Sequence, residues 1–263
     1  MALIQCNFYS RILKHNTTIN VVLPIENTDL SNDENLDNIY KTSKKFKTIY
    51  LLHGAMDDNT GWLRSSNVER YATERGIALV LPAAENSYYT DMANGNKYYT
   101  YVTEEVPRFA RSVFPLSDTR EDNYIAGLSM GGYGAIKIAL SNPERFSAVV
   151  SLSGVLDIES QVSSLNNKSV ADYFAIFGDP NKVKESNNDL LYLLKKIKDS
   201  DNLIPRIYQA CGTEDFLYEE NIKFRDLARK LEIDITYEEG SGGHEWDFWD
   251  AYIKKALNWL TIL

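Results

Sequence analysis

Cysteine and histidine are scarce in this chain: among 263 residues there are two cysteines, Cys6 and Cys211, and three histidines. The two thiols lie far apart without a Cys-x-x-Cys spacing, which excludes a disulfide framework and argues against a structural zinc site. Basic residues are outnumbered, with 28 Lys and Arg against 37 Asp and Glu and a formal net charge of −9. Phosphate binding needs clustered cations, and no basic stripe is present, so nucleic acid is excluded as a partner. No apolar run approaches the roughly 20 residues of a membrane span. Residues 1–7 lack the basic and continuous apolar regions of a secretory leader and read instead as a first strand. These absences predict a soluble protein in a reducing cytoplasm.

What is present is ample apolar material, 44% of residues, alongside 25% charged. That is enough to bury a large core, and the length suits one α/β domain over residues 1–263. Two β-like runs, 4–13 and 17–23, predict an antiparallel hairpin. Residues 26–47 form a polar stretch, acidic first and basic last, read as a solvated loop. From Thr48 onward short apolar runs alternate with helical patterns, the mark of a mainly parallel sheet with helices on both faces. Strands are predicted at 48–52, 77–81, 123–126, 148–152, 207–211 and 233–237. Helices are predicted near 67–74, 98–113, 130–140, 218–231 and 245–260. Pro107 should kink the second helix or mark its true start, since proline has no N–H to give. Residues 155–205 interrupt the alternation and read as a polar, irregular insertion.

The strongest chemical signal is Gly127-Leu128-Ser129-Met130-Gly131-Gly132-Tyr133-Gly134, a Gly-x-Ser-x-Gly between an apolar strand and a helix. A strained strand-to-helix turn there lifts the Ser129 hydroxyl above the sheet, and side chains at 127 or 131 would collide with its neighbours. A serine needs a base, and this arrangement takes serine, acid and histidine in that chain order. Of His15, His53 and His244 only His244 follows Ser129, in a glycine-rich loop. Asp215, in the turn after the strand at 207–211, is the chosen carboxylate, with Glu214 as rival and helix N-capping as its bland alternative. The oxyanion donors are expected at Met130 N–H and Ala55 N–H, with Met56 in reserve. His53 is read as bracing that loop. Trp62, Tyr89 and Asp91 are taken as substrate-binding residues, with Phe174 and Phe177 reaching over the site. No metal or organic cofactor is required.

These motifs resemble the esterase D group of α/β-hydrolases, and within it the bacterial tributyrin esterases. The resemblance is carried by Leu51-Leu52-His53-Gly54, Trp62, Tyr89-Thr90-Asp91, Tyr98-Tyr99, the Gly127–Gly134 block, Cys211-Gly212-Thr213-Glu214-Asp215-Phe216-Leu217-Tyr218 and Gly243-His244. It implies an α/β-hydrolase fold, a Ser129–Asp215–His244 triad, and a cytoplasmic enzyme acting on small-molecule esters. Short-chain acyl esters are the implied substrates, with hydroxycinnamoyl or carbohydrate acetyl esters as alternatives, and tetramers the implied assembly. Acyl transfer to another alcohol is a rival that the same triad serves. Two departures stand out: the polar loop near 27–45 is longer than in that group, and the elbow and glutathione-site pattern of S-formylglutathione hydrolases is not found.

Overall fold

Alternating exposed and half-buried residues make Ala2–Tyr9 (β1) a one-sided edge strand, paired antiparallel with Asn16–Leu23 (β2). The connection spans 10–15, twice the predicted length, because Ser10 N–H bonds back to His15 O and closes a wider turn. The computed structural model describes residues 1–25, 45–163, 167–200 and 203–261. Most of the polar loop predicted at 26–47 therefore lies outside the described residues.

Largely buried, mainly apolar runs follow as Lys47–Leu52 (β3), Ile77–Pro82 (β4), Asn123–Leu128 (β5), Ala148–Leu152 (β6), Arg206–Gly212 (β7) and the less buried Ile235–Gly240 (β8). They complete one eight-stranded sheet in the order β1-β2-β4-β3-β5-β6-β7-β8. Strands β3 to β8 are mutually parallel, as expected for runs covered on both faces. The last strand starts two residues later than predicted, since Ile233 N–H still bonds to Ala228 O at the preceding helix end.

Helices cover both faces. Gly61–Ser65 (α1), Val68–Thr73 (α2) and, at the chain end, Trp246–Thr261 pack Trp62, Tyr71, Phe248, Ile253 and Leu257 on one side. The other side receives a segment that begins at Tyr98–Thr100 (α3), passes through a π-helical turn at Tyr101–Glu105 and continues as Val106–Val113 (α4). Val106 N–H reaches back to Tyr101 O, and Pro107 falls in the first turn of α4, where its missing N–H costs nothing. The same side holds Met130–Ser141 (α5), buried over almost its whole length.

The described part of residues 155–205 is largely helical, which corrects the expectation of an irregular insertion. It contains Ile158–Ser163 (α6), Asn167–Phe177 (α7) and Leu190–Lys198 (α8). Asp189 caps α8 by accepting from Tyr192 N–H, and Leu190, Leu193, Leu194 and Ile197 line its buried stripe. Tyr218–Lys230 (α9) precedes β8, and Trp246–Thr261 (α10) closes the chain. No helix among the described residues is long and apolar enough to cross a membrane.

A buried ammonium lies inside this frame. Lys137 of α5 donates from Nζ to Asn188 Oδ1 at 2.7 Å and Tyr89 O at 3.4 Å. Burial outweighs the attraction of Asp91 and pushes its ammonium down to about 7, against about 10.4 in an unfolded chain. Between those values the unfolded chain binds more protons, so folding stability rises with pH across that window. Lys137→Met removes this contribution. The variant's melting temperature relative to wild type is expected to fall between about pH 6.5 and about pH 9. An offset independent of pH would contradict this assignment.

Candidate active site

The loops that leave the C-terminal ends of β3, β5, β6, β7 and β8 meet at one edge of the sheet, where ligands of open parallel sheets gather. Ser129 follows β5 with φ 52° and ψ −119°, a strained left-handed conformation for a residue with a side chain. Close packing enforces it. A Cβ at Gly127 would lie 2.3 Å from the Gly131 backbone, and one at Gly131 would lie 2.4 Å from Leu52 O. Ser129 N–H donates to Leu152 O of the adjacent strand, which fixes the turn from the other side.

His244, in the loop after β8, lies with Nε2 2.9 Å from Ser129 Oγ. Its Nδ1 lies 3.0 Å and 3.2 Å from the two carboxylate oxygens of Asp215. A carboxylate only accepts, so Nδ1 carries the proton and Nε2 is free to accept from the serine hydroxyl. Asp215 follows β7, and its side chain is fully buried. Burial opposes its charge, but the hydrogen bonds from His244 and Leu217 N–H outweigh that cost and hold its carboxyl below the ordinary carboxylate range. Asp215 also takes Leu217 N–H at 2.9 Å, but Leu217 is itself the N-cap of α9 and has no side-chain cap, so Asp215 does not cap the helix. Glu214 points elsewhere, accepting from Gly242 N–H.

The loop after β3 lies beside the serine: a Cβ at Gly54 would stand 3.6 Å from Ser129 Cβ. The three successive carbonyls where it leaves the strand are engaged by aromatic side chains. Trp62 Nε1 donates to Leu52 O at 3.0 Å, Tyr89 hydroxyl to His53 O at 2.9 Å, and His53 Nδ1 to Gly54 O at 2.7 Å. Ala84 N–H fills the other ring nitrogen of His53, and burial pushes that imidazole below the usual histidine range, so it is neutral. Met56 N–H is taken by Asn86 Oδ1 at 2.6 Å. The amides of Ala55 and Met130 have no acceptor among the described residues. Met130 opens α5, where the first N–H groups have no partner within the helix and the helix dipole favours negative charge.

The expectations for substrate contacts are corrected. Trp62 is 1% exposed and Tyr89 0% exposed, so neither ring faces a ligand. Asp91 spends both carboxylate oxygens on Thr100 N–H and hydroxyl at the start of α3. Phe177 packs into a cluster with Tyr88, Tyr133 and Tyr173, while Phe174 is exposed. Two side chains not named as substrate contacts by the sequence reading are exposed on these loops. Phe216 is 75% exposed with its ring centroid 4.6 Å from that of His244, and Met56 is 92% exposed on the loop after β3. Trp249 of α10 stands edge-on to His244 at 4.9 Å from the buried side. Its i+3 spacing from Trp246 at the start of an amphipathic helix was the only sequence signal. Among the described residues no group of three or more His, Cys, Asp and Glu could hold a metal ion.

Comparison with known proteins agrees with this frame. The family model described as "Putative esterase" matches residues 10–260. An acetyl esterase of Caldicellulosiruptor saccharolyticus is 38% identical over 99% of this chain and 98% of its own. The substrate-bound structure of fluorophosphonate-binding serine hydrolase F of Staphylococcus aureus superposes with a TM-score of 0.87 and 36% identity, covering 99% of this chain and 98% of that one. An S-formylglutathione hydrolase from the same organism matches with a TM-score of 0.84 and 36% identity over the same shares. The fold is that of the α/β-hydrolases, and the chain belongs to this esterase family, a carboxylic ester hydrolase.

Proposed function

We propose that the chain is a serine carboxylesterase that cleaves short-chain acyl esters through an acyl-enzyme on Ser129. The observation that carries this reading is the unbroken hydrogen-bond chain from Ser129 through His244 to Asp215, at 2.9 Å and 3.0 Å. As Ser129 Oγ attacks the ester carbonyl, His244 Nε2 takes its proton and Asp215 stabilises the imidazolium. The Met130 and Ala55 amides receive the developing oxyanion. His244 then protonates the departing alcohol. A water attacks the acyl-enzyme by the same steps in reverse order of proton flow, releasing the acid and restoring Ser129. No cofactor enters this sequence.

The acetyl esterase at 38% identity supports a small acyl group, in keeping with a tributyrin-type activity. The apolar rim of Phe216 and Met56 supports apolar groups on the solvent side of the ester. Two free thiols, Cys6 and Cys211, suit a reducing compartment, the cytoplasm. A thioester substrate is the second reading, favoured by the S-formylglutathione hydrolase at 36% identity despite the missing motif pattern. The deciding assay is a panel of nitrophenyl esters from acetate upward, with methyl ferulate and S-formylglutathione alongside. The expected order of kcat/KM places acetate to butyrate first. A maximum on long acyl chains or on methyl ferulate overturns the short-chain reading, and a maximum on S-formylglutathione establishes the second one.

A further inference from the structure

A trans peptide group is planar, with its N–H opposite its C=O, so whatever grips the carbonyl also aims the amide. The Ala55 N–H shares a peptide with Gly54 O, which accepts from His53 Nδ1–H at 2.7 Å. The preceding peptide is gripped by Tyr89, whose hydroxyl donates to His53 O at 2.9 Å. Ala84 N–H fixes the His53 ring by donating to Nε2 at 3.0 Å. Tyr89 thus acts one peptide behind the Ala55 amide. Its ring bears on the helix of the other donor as well. Gly134 lies one turn beyond Met130 in α5, and a Cβ there would stand 2.4 Å from Tyr89 Cδ2, so the glycine makes a seat for the ring. One side chain therefore touches both the helix that opens with the Met130 amide and the loop that carries the Ala55 amide.

The chain accepts strain to keep Tyr89 there. Tyr88 and Tyr89 both carry φ 50°, a left-handed conformation that bulky residues adopt only where their surroundings compel it. Tyr89 N–H donates to the buried Ser87 Oγ at 3.1 Å, and Tyr89 O accepts from Lys137 Nζ at 3.4 Å. Resting on the serine-esterase reading above, we propose that Tyr89 is a positioning residue that sets the oxyanion hole, holding the Ala55 amide in register with the Met130 amide. Donors stabilise a developing oxyanion only when they are already aimed at its position, and small misplacements are expensive. Tyr89→Phe leaves the ring on Gly134 but releases His53 O, so the loop turns and the Ala55 amide loses its aim. The ground-state ester carries little charge on its carbonyl oxygen and binds as before, so the loss falls on the transition state.

The test compares Tyr89→Phe and Ser87→Ala with wild type on nitrophenyl acetate, with kcat expressed per site titrated to completion by a fluorophosphonate, so that unfolded protein does not count. The second readout is inhibition by a short alkyl trifluoromethyl ketone. Ser129 Oγ bonds to its carbonyl carbon, the C=O π pair moves to oxygen as an oxyanion, and the serine proton passes to His244 Nε2. Its affinity therefore reports the filled oxyanion hole. Expected for Tyr89→Phe is a roughly tenfold fall in kcat, KM within about twofold, and an inhibition constant raised by about the same tenfold. Ser87→Ala removes the acceptor of Tyr89 N–H and should move kcat and the inhibition constant in the same directions by about threefold. Should Tyr89→Phe yield no titratable sites, Ser87→Ala decides alone. Wild-type kcat per site, or a fall in kcat with the inhibition constant unchanged, overturns the proposal and leaves the serine nucleophile standing. Esterase activity retained by Ser129→Ala removes the serine-esterase reading itself.

Discussion

Ser129→Ala is expected to lower kcat on nitrophenyl acetate by roughly 10⁴ to 10⁶, while the melting temperature stays within a few degrees of wild type. The chemistry loses its nucleophile, yet the fold loses only a hydroxyl. The strain of φ 52° is set by backbone contacts of Gly127 and Gly131 and by the Ser129 N–H bond to Leu152 O, all of which alanine keeps. Steady-state kinetics with thermal unfolding checks both halves. Retention of more than about a tenth of the activity would remove Ser129 as nucleophile.

The second large effect separates two adjacent carboxylates. Asp215→Asn is expected to lower kcat by roughly 10⁴, because an amide in that place favours the wrong imidazole tautomer, with the proton on the nitrogen that faces Ser129. Glu214→Gln should stay within a few-fold of wild type. Its carbonyl oxygen still accepts from Gly242 N–H, and no bond from Glu214 reaches His244. The reverse pattern of activities would transfer the acid's role to Glu214.

Much of the architecture is legible in residue patterning because its determinants are local. Buried strands of four to six apolar residues between turns fall within a residue or two of β3 to β7, and Ala148–Leu152 coincides with its prediction. The serine turn is legible for the same reason, since glycines at 127 and 131 answer a clash between neighbouring backbone segments. Chain order then singles out side chains 115 and 29 residues apart that the fold brings into hydrogen-bond reach.

What was not legible depends on which side of the sheet a side chain faces. Trp62 follows the oxyanion loop and Tyr89 lies in a tyrosine-rich run further on, and this crowding of aromatics suggested substrate contact. Their polar tips instead turn inward to Leu52 O and His53 O, so the rings hold the loop from behind. Position 153 gives no local sign of its left-handed backbone, and its partner Trp249 arrives from a distant helix. The helix Leu190–Lys198 was discernible in its apolar spacing and its Asp189 cap, but the polar residues around it masked the pattern. The π-helical turn at Tyr101–Glu105 arises from packing that no single residue announces, although Pro107 marked the place.

The central claim is that catalysis runs through a covalent bond to one hydroxyl. Treatment with a fluorophosphonate, followed by peptide mass spectrometry, tests it directly. The account predicts one adduct per chain, on Ser129, formed in step with loss of esterase activity and absent from Ser129→Ala. Inactivation with the adduct on another residue, or full activity with Ser129 stoichiometrically modified, would contradict it.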